Sequence, residues 1–176
     1  MSAFITGNTI YLRAISRSDA TDRYLSWLND PKVTHGLASG TFPTSLDNLS
    51  DYLNHVVSNR DIVMFAICDL SNNLHIGNIK LDKFDWISGT CELGLLIGDS
   101  SYWGKGVGNE VMNLIIQYAF EELNLRKISL TVYGNNPAAI RLYEKVGFET
   151  EGVLKNHIYS KNSFTDKIWM SVFRNK

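Results

Sequence analysis

Residues 97–110, IGDSSYWGKGVGNE, gather the groups in this sequence best suited to hold an anion. A β-rich run leads in, Gly104, Gly106 and Gly108 follow, and an amphipathic pattern leads out. Backbone N–H groups at a helix start lack intrahelical partners, and the helix dipole favours negative charge there. Glycine lets the main chain approach a phosphate closely, and Lys105 adds one mobile positive charge. The physical reading is a pyrophosphate cradle. Two well-known cradles do not fit. A P-loop, G-x-x-x-x-G-K-[ST], counted from Gly98 finds Trp103 where its second glycine belongs and Gly106 after Lys105. A dinucleotide fingerprint, G-x-G-x-x-G, started at Gly104 or Gly106 ends on Asn109 or Val111. On the loop alone, a glycine turn that serves only packing remains the alternative.

Other reactive side chains are scattered. His35, His55, His75 and His157 show no paired ligand spacing, so no metal is expected. Cys68 and Cys91 sit in apolar, strand-like runs without a convincing base. They are expected to be buried free thiols of a cytoplasmic protein rather than a disulfide or a nucleophile.

The elements that must position the loop follow from periodicity. Strand patterns cover residues 9–15, 62–69, 75–84, 91–97, 127–133, 148–154 and 167–173. A helix carrying Tyr24, Leu25, Trp27 and Leu28 is expected after an N-cap at Ser18 or Asp19, and Pro31 stops it. Further helices are expected over residues 45–59, from Gly106 onward, and over 136–145 with Pro137 at the first position. An α/β mixture with a central meander excludes a regular doubly wound fold.

At 176 residues, residues 1–176 are expected to form a single domain. With 44% apolar and 20% charged residues, the chain is neither disordered nor collagen-like. No run approaches the ~20 apolar residues that span a bilayer, and the first residues lack a signal-peptide pattern. A net charge of -1 gives no case for nucleic acid as a partner.

Two separated motifs give the chain a resemblance to the GCN5-related N-acetyltransferase (GNAT) superfamily. Trp103, Gly104, Lys105, Gly106, Val107 and Gly108 match its acetyl-CoA signature, [QR]-x-x-G-x-[GA], with Trp103 at the usual Gln/Arg position. Residues 136–148, NPAAIRLYEKVGF, resemble its N-x-x-A-x-x-x-Y-x-x-x-G-F block, and EGVL at 151–154 continues the likeness. The stretch YWGKGVGNE is similar to the RimJ/RimL-like, ribosomal-protein-acetylating branch and to spermidine acetyltransferases.

The resemblance implies an α/β GNAT fold: a mixed, mostly antiparallel twisted sheet flanked by about four helices. The sheet should splay between its fourth and fifth strands, residues 93–97 and 127–133. It implies direct transfer of an acetyl group from acetyl-CoA to a primary amine. Leu95 and Ile97 would offer main-chain partners to pantetheine, Asn136 would bind the same arm or cap its helix, and a strand N–H would face the developing oxyanion. Tyr143 occupies the tyrosine position expected to protonate the leaving thiolate, with simple packing as the alternative. Glu92 matches an acidic position used by several relatives to remove the amine proton; a surface or ion-paired carboxylate is the alternative.

Residues 27–42 and 157–166 are expected to build the acceptor pocket. The first, WLNDPKVTHGLASGTF, resembles N-terminal regions of acetyltransferases linked to amino-sugar nucleotides as well as protein-acetylating ones, and it carries few carboxylates, whereas a polycation needs a cluster of them. The acceptors therefore rank as a small amine such as an aminodeoxy sugar nucleotide, then a protein N-terminus, then a polyamine. A non-catalytic acetyl-CoA sensor is the rival class, and a homodimer is left open.

Overall fold

Strands that are apolar on both faces need cover on both faces, and the sequence supplies two amphipathic helical layers for the purpose. The computed structural model describes residues 2–37, 39–160 and 162–174. In chain order the elements are β1 (Ile5–Thr6), β2 (Ile10–Ala14), α1 (Asp22–Leu28), α2 (Leu46–Ser58), β3 (Val63–Asp69), β4 (His75–Asp85) and β5 (Thr90–Ile97). They continue with α3 (Val107–Glu121), β6 (Lys127–Tyr133), α4 (Pro137–Lys145), β7 (Glu149–Ser160) and β8 (Ser163–Phe173). The strands form one sheet in the order β1-β2-β3-β4-β5-β6-β8-β7. Every neighbouring pair is antiparallel except β5 and β6.

One face packs Ile79, Leu81, Cys91 and Leu93 against Val111, Met112 and Ile115 of α3 and against Phe148. The other packs Tyr11, Met64, Ala66 and Cys68 against Tyr24 and Trp27 of α1 and Leu49, Leu53 and Val56 of α2. Each fully buried large side chain contributes about 1.5–3 kcal/mol. Both cysteines are free and buried, as expected; burial pushes the Cys91 thiol up to about 12 and raises Cys68 as well. No helix among the described residues is long and apolar enough to cross a membrane.

The splay lies where the resemblance puts it. β5 and β6 pair only from Thr90–Lys127 to Glu92–Ser129 and then separate. They are the fifth and sixth strands because β1, a two-residue pairing, is too short to leave a periodic signal. Two other expectations need correction. The cap of α1 is Thr21, whose hydroxyl accepts from the Tyr24 N–H at 3.3 Å. Ser18 and Asp19 instead lie in a 3-10 turn, where the Asp19 carboxylate is drawn inward by Arg13. The β7–β8 hairpin also runs well beyond the expected strands, closing at Ser160–Ser163. Its outer half is mostly exposed, so no inside–outside alternation marks it.

The Arg13–Asp19 pair is a buried anchor between β2 and the turn before α1. Its two bonds measure 2.6 and 2.9 Å, and both side chains are less than a tenth exposed. Burial alone would raise the Asp19 carboxyl. Hydrogen bonds from Arg13 and Ser16 outweigh it and hold the group below its ordinary value. Removing one partner of a buried pair strands the other, so Asp19→Ala should cost about 3 kcal/mol in urea unfolding at pH 7. The depressed carboxyl stabilises the fold above the unfolded value near ~4 and loses that contribution as pH falls further. The gap between wild type and Asp19→Ala should therefore narrow in acid; a constant gap would contradict the assignment.

Candidate active site

The glycine loop is built for main-chain approach. Gly104 and Gly106 take φ of 72° and 86°, a region that favours glycine, and a Cβ on either would project into open space. Gly106 precedes α3 without a side-chain cap, and the first bond across the turn runs from the Glu110 N–H to the Gly106 carbonyl at 3.0 Å. The N–H groups of Val107, Gly108 and Asn109 thus have no partner within the turn, which is the arrangement an anion needs. Gly108 serves a different purpose: a Cβ there would meet Leu142 at 3.0 Å, so it sets the approach of α3 to α4. Trp103 ties the loop to the end of β5, its indole N–H donating to the Ile97 carbonyl at 2.8 Å. The Lys105 ammonium lies 5.8 Å from the centre of the Tyr102 ring and borders a neighbouring groove with Glu110 rather than the main cleft. The cations that line the cleft are Lys32, Arg141 and Lys145.

That cleft has a volume of about 670 Å³ and follows the splay, with residues 93–97 of β5 on one side and Thr131, Val132 and Asn136 on the other. Asn136 caps α4 by accepting from the Ala139 N–H at 3.2 Å, with Pro137 at the first helical position as expected. It still faces the cleft, beneath the turn at Gly36. Tyr143 lines the cleft from α4 and is 9% exposed; burial pushes its phenol up to about 12, so it stays protonated at neutral pH. His35 also lines the cleft, and its Nδ1 is buried without a hydrogen-bond partner.

A second cavity, of about 420 Å³, lies between the sheet and the α1–α2 layer, with Tyr24 and Leu28 of α1 and Leu49 and Tyr52 of α2 in its wall. Gly94, Leu95, Leu96 and Leu37 border both cavities, so the two spaces meet along β5. The register puts Asn78, Lys80 and Asp82 of β4 opposite Leu96, Gly94 and Glu92 of β5. Glu92 stands on the last rung before the splay, lines neither cavity, and pairs with the Lys83 ammonium at 2.8 Å. Asp82 pairs with Lys80 at 2.5 Å, and Glu151 with Lys127 at 2.6 Å.

The structure thus gathers Leu95, Ile97, Trp103, Gly104, Gly106, Val107, Gly108, Asn136 and Tyr143 around one cleft, while Lys105 and Glu92 stand beside it. Residues 27–42 reach both cavities, but the described part of 157–166 lines neither; residues 38 and 161 lie outside the described residues. Sequence reading passed over Arg141 and Lys145, whose i, i+4 spacing on α4 puts two cations on one face. It also passed over Asn78 and Lys80, whose i, i+2 spacing on β4 turns both toward the second cavity. Among the described residues, no cluster of three or more His, Cys, Asp or Glu side chains could hold a metal.

Residues 9–149 match the acetyltransferase (GNAT) domain family. A prophage-derived, uncharacterized N-acetyltransferase of Bacillus subtilis is 31% identical over 96% of this chain and 92% of its own length. The spermidine N(1)-acetyltransferase of Vibrio cholerae is 30% identical over 94% and 93%. The solved structure of the Vibrio cholerae spermidine N-acetyltransferase, in complex with CoA and spermine, superposes with a TM-score of 0.85 at 27% identity, covering 94% of this chain and 95% of that one.

Gly106→Asp should test the cradle. It sets a carboxylate against the incoming pyrophosphate and fills the space the main chain leaves open. Calorimetric titration should show acetyl-CoA affinity falling by at least about 100-fold, while unfolding free energy falls by only about 1 kcal/mol for the left-handed backbone. Unchanged affinity in a folded variant would remove the loop from the cofactor site.

Proposed function

The chain belongs to the GNAT acetyltransferase family, and from that premise we propose that this acetyl-CoA-dependent N-acetyltransferase acylates a small primary amine that is not a polycation. The observation that carries the reading is the strip of β5 at Gly94–Leu95–Leu96, bordered by the cofactor cleft on one side and an amine-sized cavity on the other. In this reading residues 1–176 act as one catalytic domain.

Bound acetyl-CoA supplies an activated acyl carbon. The main chain at Val107, Gly108 and Asn109 receives the pyrophosphate, Gly104 and Gly106 admit it closely, and Arg141, Lys145 and Lys32 set a positive rim. Leu95 and Ile97 present main-chain groups that β6 no longer pairs, and Asn136 adds a side-chain partner for the pantetheine arm. A C–N bond forms as the C–S bond breaks, so the amine must lose a proton and the departing sulfur must gain one. Tyr143 gives the second proton. Its phenol is held protonated by the same dry surroundings that raise the proton affinity of a thiolate beside it. Glu92 receives the first through water, two residues from Gly94 on the same face of β5, exchanging its Lys83 contact for that water.

Charge pairing supports a small, non-polycationic acceptor. Asp82, Glu92 and Glu151 each hold a lysine, and Lys80 itself lines the acceptor cavity. Among the described residues no carboxylate lines the acceptor cavity, and the Lys80 ammonium at its edge is the one Asp82 holds, so a polyamine would find no unpaired negative charge there. The spermidine acetyltransferase relatives nevertheless make a polyamine the second reading, ahead of the protein N-terminus suggested by the RimJ/RimL-like motif.

A panel of amines with acetyl-CoA, followed by released thiol, should show higher kcat/KM for amino sugars than for spermidine; the reverse order would transfer the assignment to polyamines. Tyr143→Phe should lower kcat by about 10²–10⁴-fold with acetyl-CoA affinity little changed. Near-normal kcat, with chemistry rate-limiting, would leave Tyr143 a packing residue. Glu92→Gln should lose rate at pH 7 and recover part of it toward pH ~10, where a free alkylamine is itself neutral. Parallel kcat/KM profiles for the two enzymes from pH ~6 to ~10 would take Glu92 off the catalytic path.

A further inference from the structure

The acceptor cavity has a polar floor that the reaction does not use. Asn78 is 3% exposed and lines the cavity, and its Nδ2 is buried without a partner. The orientation of that amide is fixed by chemistry. His75 Nε2 lies 2.9 Å from the Gly77 carbonyl and 3.0 Å from Asn78 Oδ1. A carbonyl only accepts, so Nε2 carries the proton and Oδ1 accepts from it, which leaves the NH₂ as the free end. The imidazole is itself packed edge-on to the Tyr24 and Trp27 rings at 5.8 and 5.1 Å; its Nδ1, unprotonated in this tautomer, lies 4.0 Å from Asp19, the partner of Arg13, with no hydrogen bond between them. Burial holds His75 below its usual value, hence neutral at pH 7. A buried donor without a partner costs stability, and His75, packed between Tyr24 and Trp27, keeps this one in place.

Two residues along β4, on the same face, Lys80 enters the same cavity. Its aliphatic stem passes 4.0 Å from the position a Cβ on Gly94 would take. Asn78 and Lys80 therefore present an N–H donor and an ammonium already paired with Asp82 at 2.5 Å from one wall, opposite the apolar side chains of Leu28 and Leu49. We propose that Asn78 and Lys80 are specificity-determining residues that read an oxygen on the acceptor, so that the substrate is a primary amine on a hydroxyl- or carbonyl-bearing, non-cationic body, of the amino-sugar class. This rests on the acetyl-transfer reading and goes beyond it, because it names what the cavity recognises apart from the amine. A satisfied amide donor selects for the oxygen, and with Lys80 paired to Asp82 and no carboxylate among the described residues lining the cavity, nothing there attracts a second positive charge.

The test compares an aminodeoxy sugar nucleotide, glucosamine, hexylamine and spermidine as acceptors. Asn78→Leu removes the free donor at similar volume and leaves His75 its Gly77 partner. Its unfolding midpoint should stay level or rise, and acetyl-CoA affinity should hold in calorimetry. The kcat/KM ratio of the better amino sugar to hexylamine should fall about ten-fold, through KM, as expected for one lost hydrogen bond. Lys80→Glu should move the spermidine-to-amino-sugar ratio toward spermidine by at least about ten-fold. If Asn78→Leu instead lowers turnover of every amine equally, or leaves the ratio unchanged, the donor is structural and the proposal fails. Spermidine preferred by the wild type overturns it too, with the acetyl-transfer reading intact. Absence of thiol release with all four amines and wild type overturns the acetyl-transfer reading itself.

Discussion

A sheet that stops pairing in its middle must find other partners for the main chain it leaves bare. β5 is paired with β4 along its length but with β6 for only three rungs, ending at Glu92–Ser129. Beyond that point the N–H and C=O groups of β5 that face β6 open into the cleft, and a buried main-chain group left without a partner costs roughly 1–3 kcal/mol. The rest of the molecule can be understood as what holds this interruption open. α3 and α4 cover one face and set the mouth of the cleft, with Gly108 letting them approach. The turn through residues 32–37 spans the other side, and β6 is held by β8 along its whole length, so it does not need β5.

Polar groups near the gap are arranged so that few charges stand alone. Glu92, Asp82 and Glu151 each carry a lysine partner, and Glu151 also accepts from Ser171, whose hydroxyl oxygen lies 2.9 Å from that of Ser129 and can accept from it. Surface pairs of this kind add little stability. Their effect is that three carboxylates beside the gap add little net charge to it. Deeper in, the Arg13–Asp19 pair costs desolvation and returns specificity of placement: it fixes β2 against the turn before α1 and stands behind His75.

Much of this was legible in the residues. The seven longer strands and four helices follow from periodicity, and the placing of the glycine loop and Tyr143 around one cleft from two motifs whose spacing reflects main-chain geometry. What escaped has definite physical causes. β1 is two residues long, and the outer β7–β8 hairpin is exposed on both faces, so neither leaves an alternating pattern. Asp19 looked like a helix cap because capping and ion pairing use the same residue type, and only the fold brings Arg13 to it. Lys105 follows Gly104 in the loop, yet its side chain turns onto Tyr102, while Arg141 and Lys145, distant in sequence, face the cleft. Glu92 was found as a carboxylate near the splay; its lysine partner sits nine residues away, across the β4–β5 turn. Asn78 carried no signal, since its unpaired amide exists only once His75 is folded beside it.

The proposed cradle has one more consequence. Its donors are peptide N–H groups, which every residue except proline provides. A survey that truncates side chains to alanine, position by position, would leave the donors at Val107 and Asn109 in place; at Val107 it would register only lost core packing, and at Asn109 almost nothing. Only additions, such as a side chain at Gly104 or Gly106, would reveal the loop. Over evolutionary time the same asymmetry lets the identities of residues 105 and 109 drift while the two left-handed glycines and the buried Val107 hold, so descendants of this chain would share a backbone path more faithfully than a spelling.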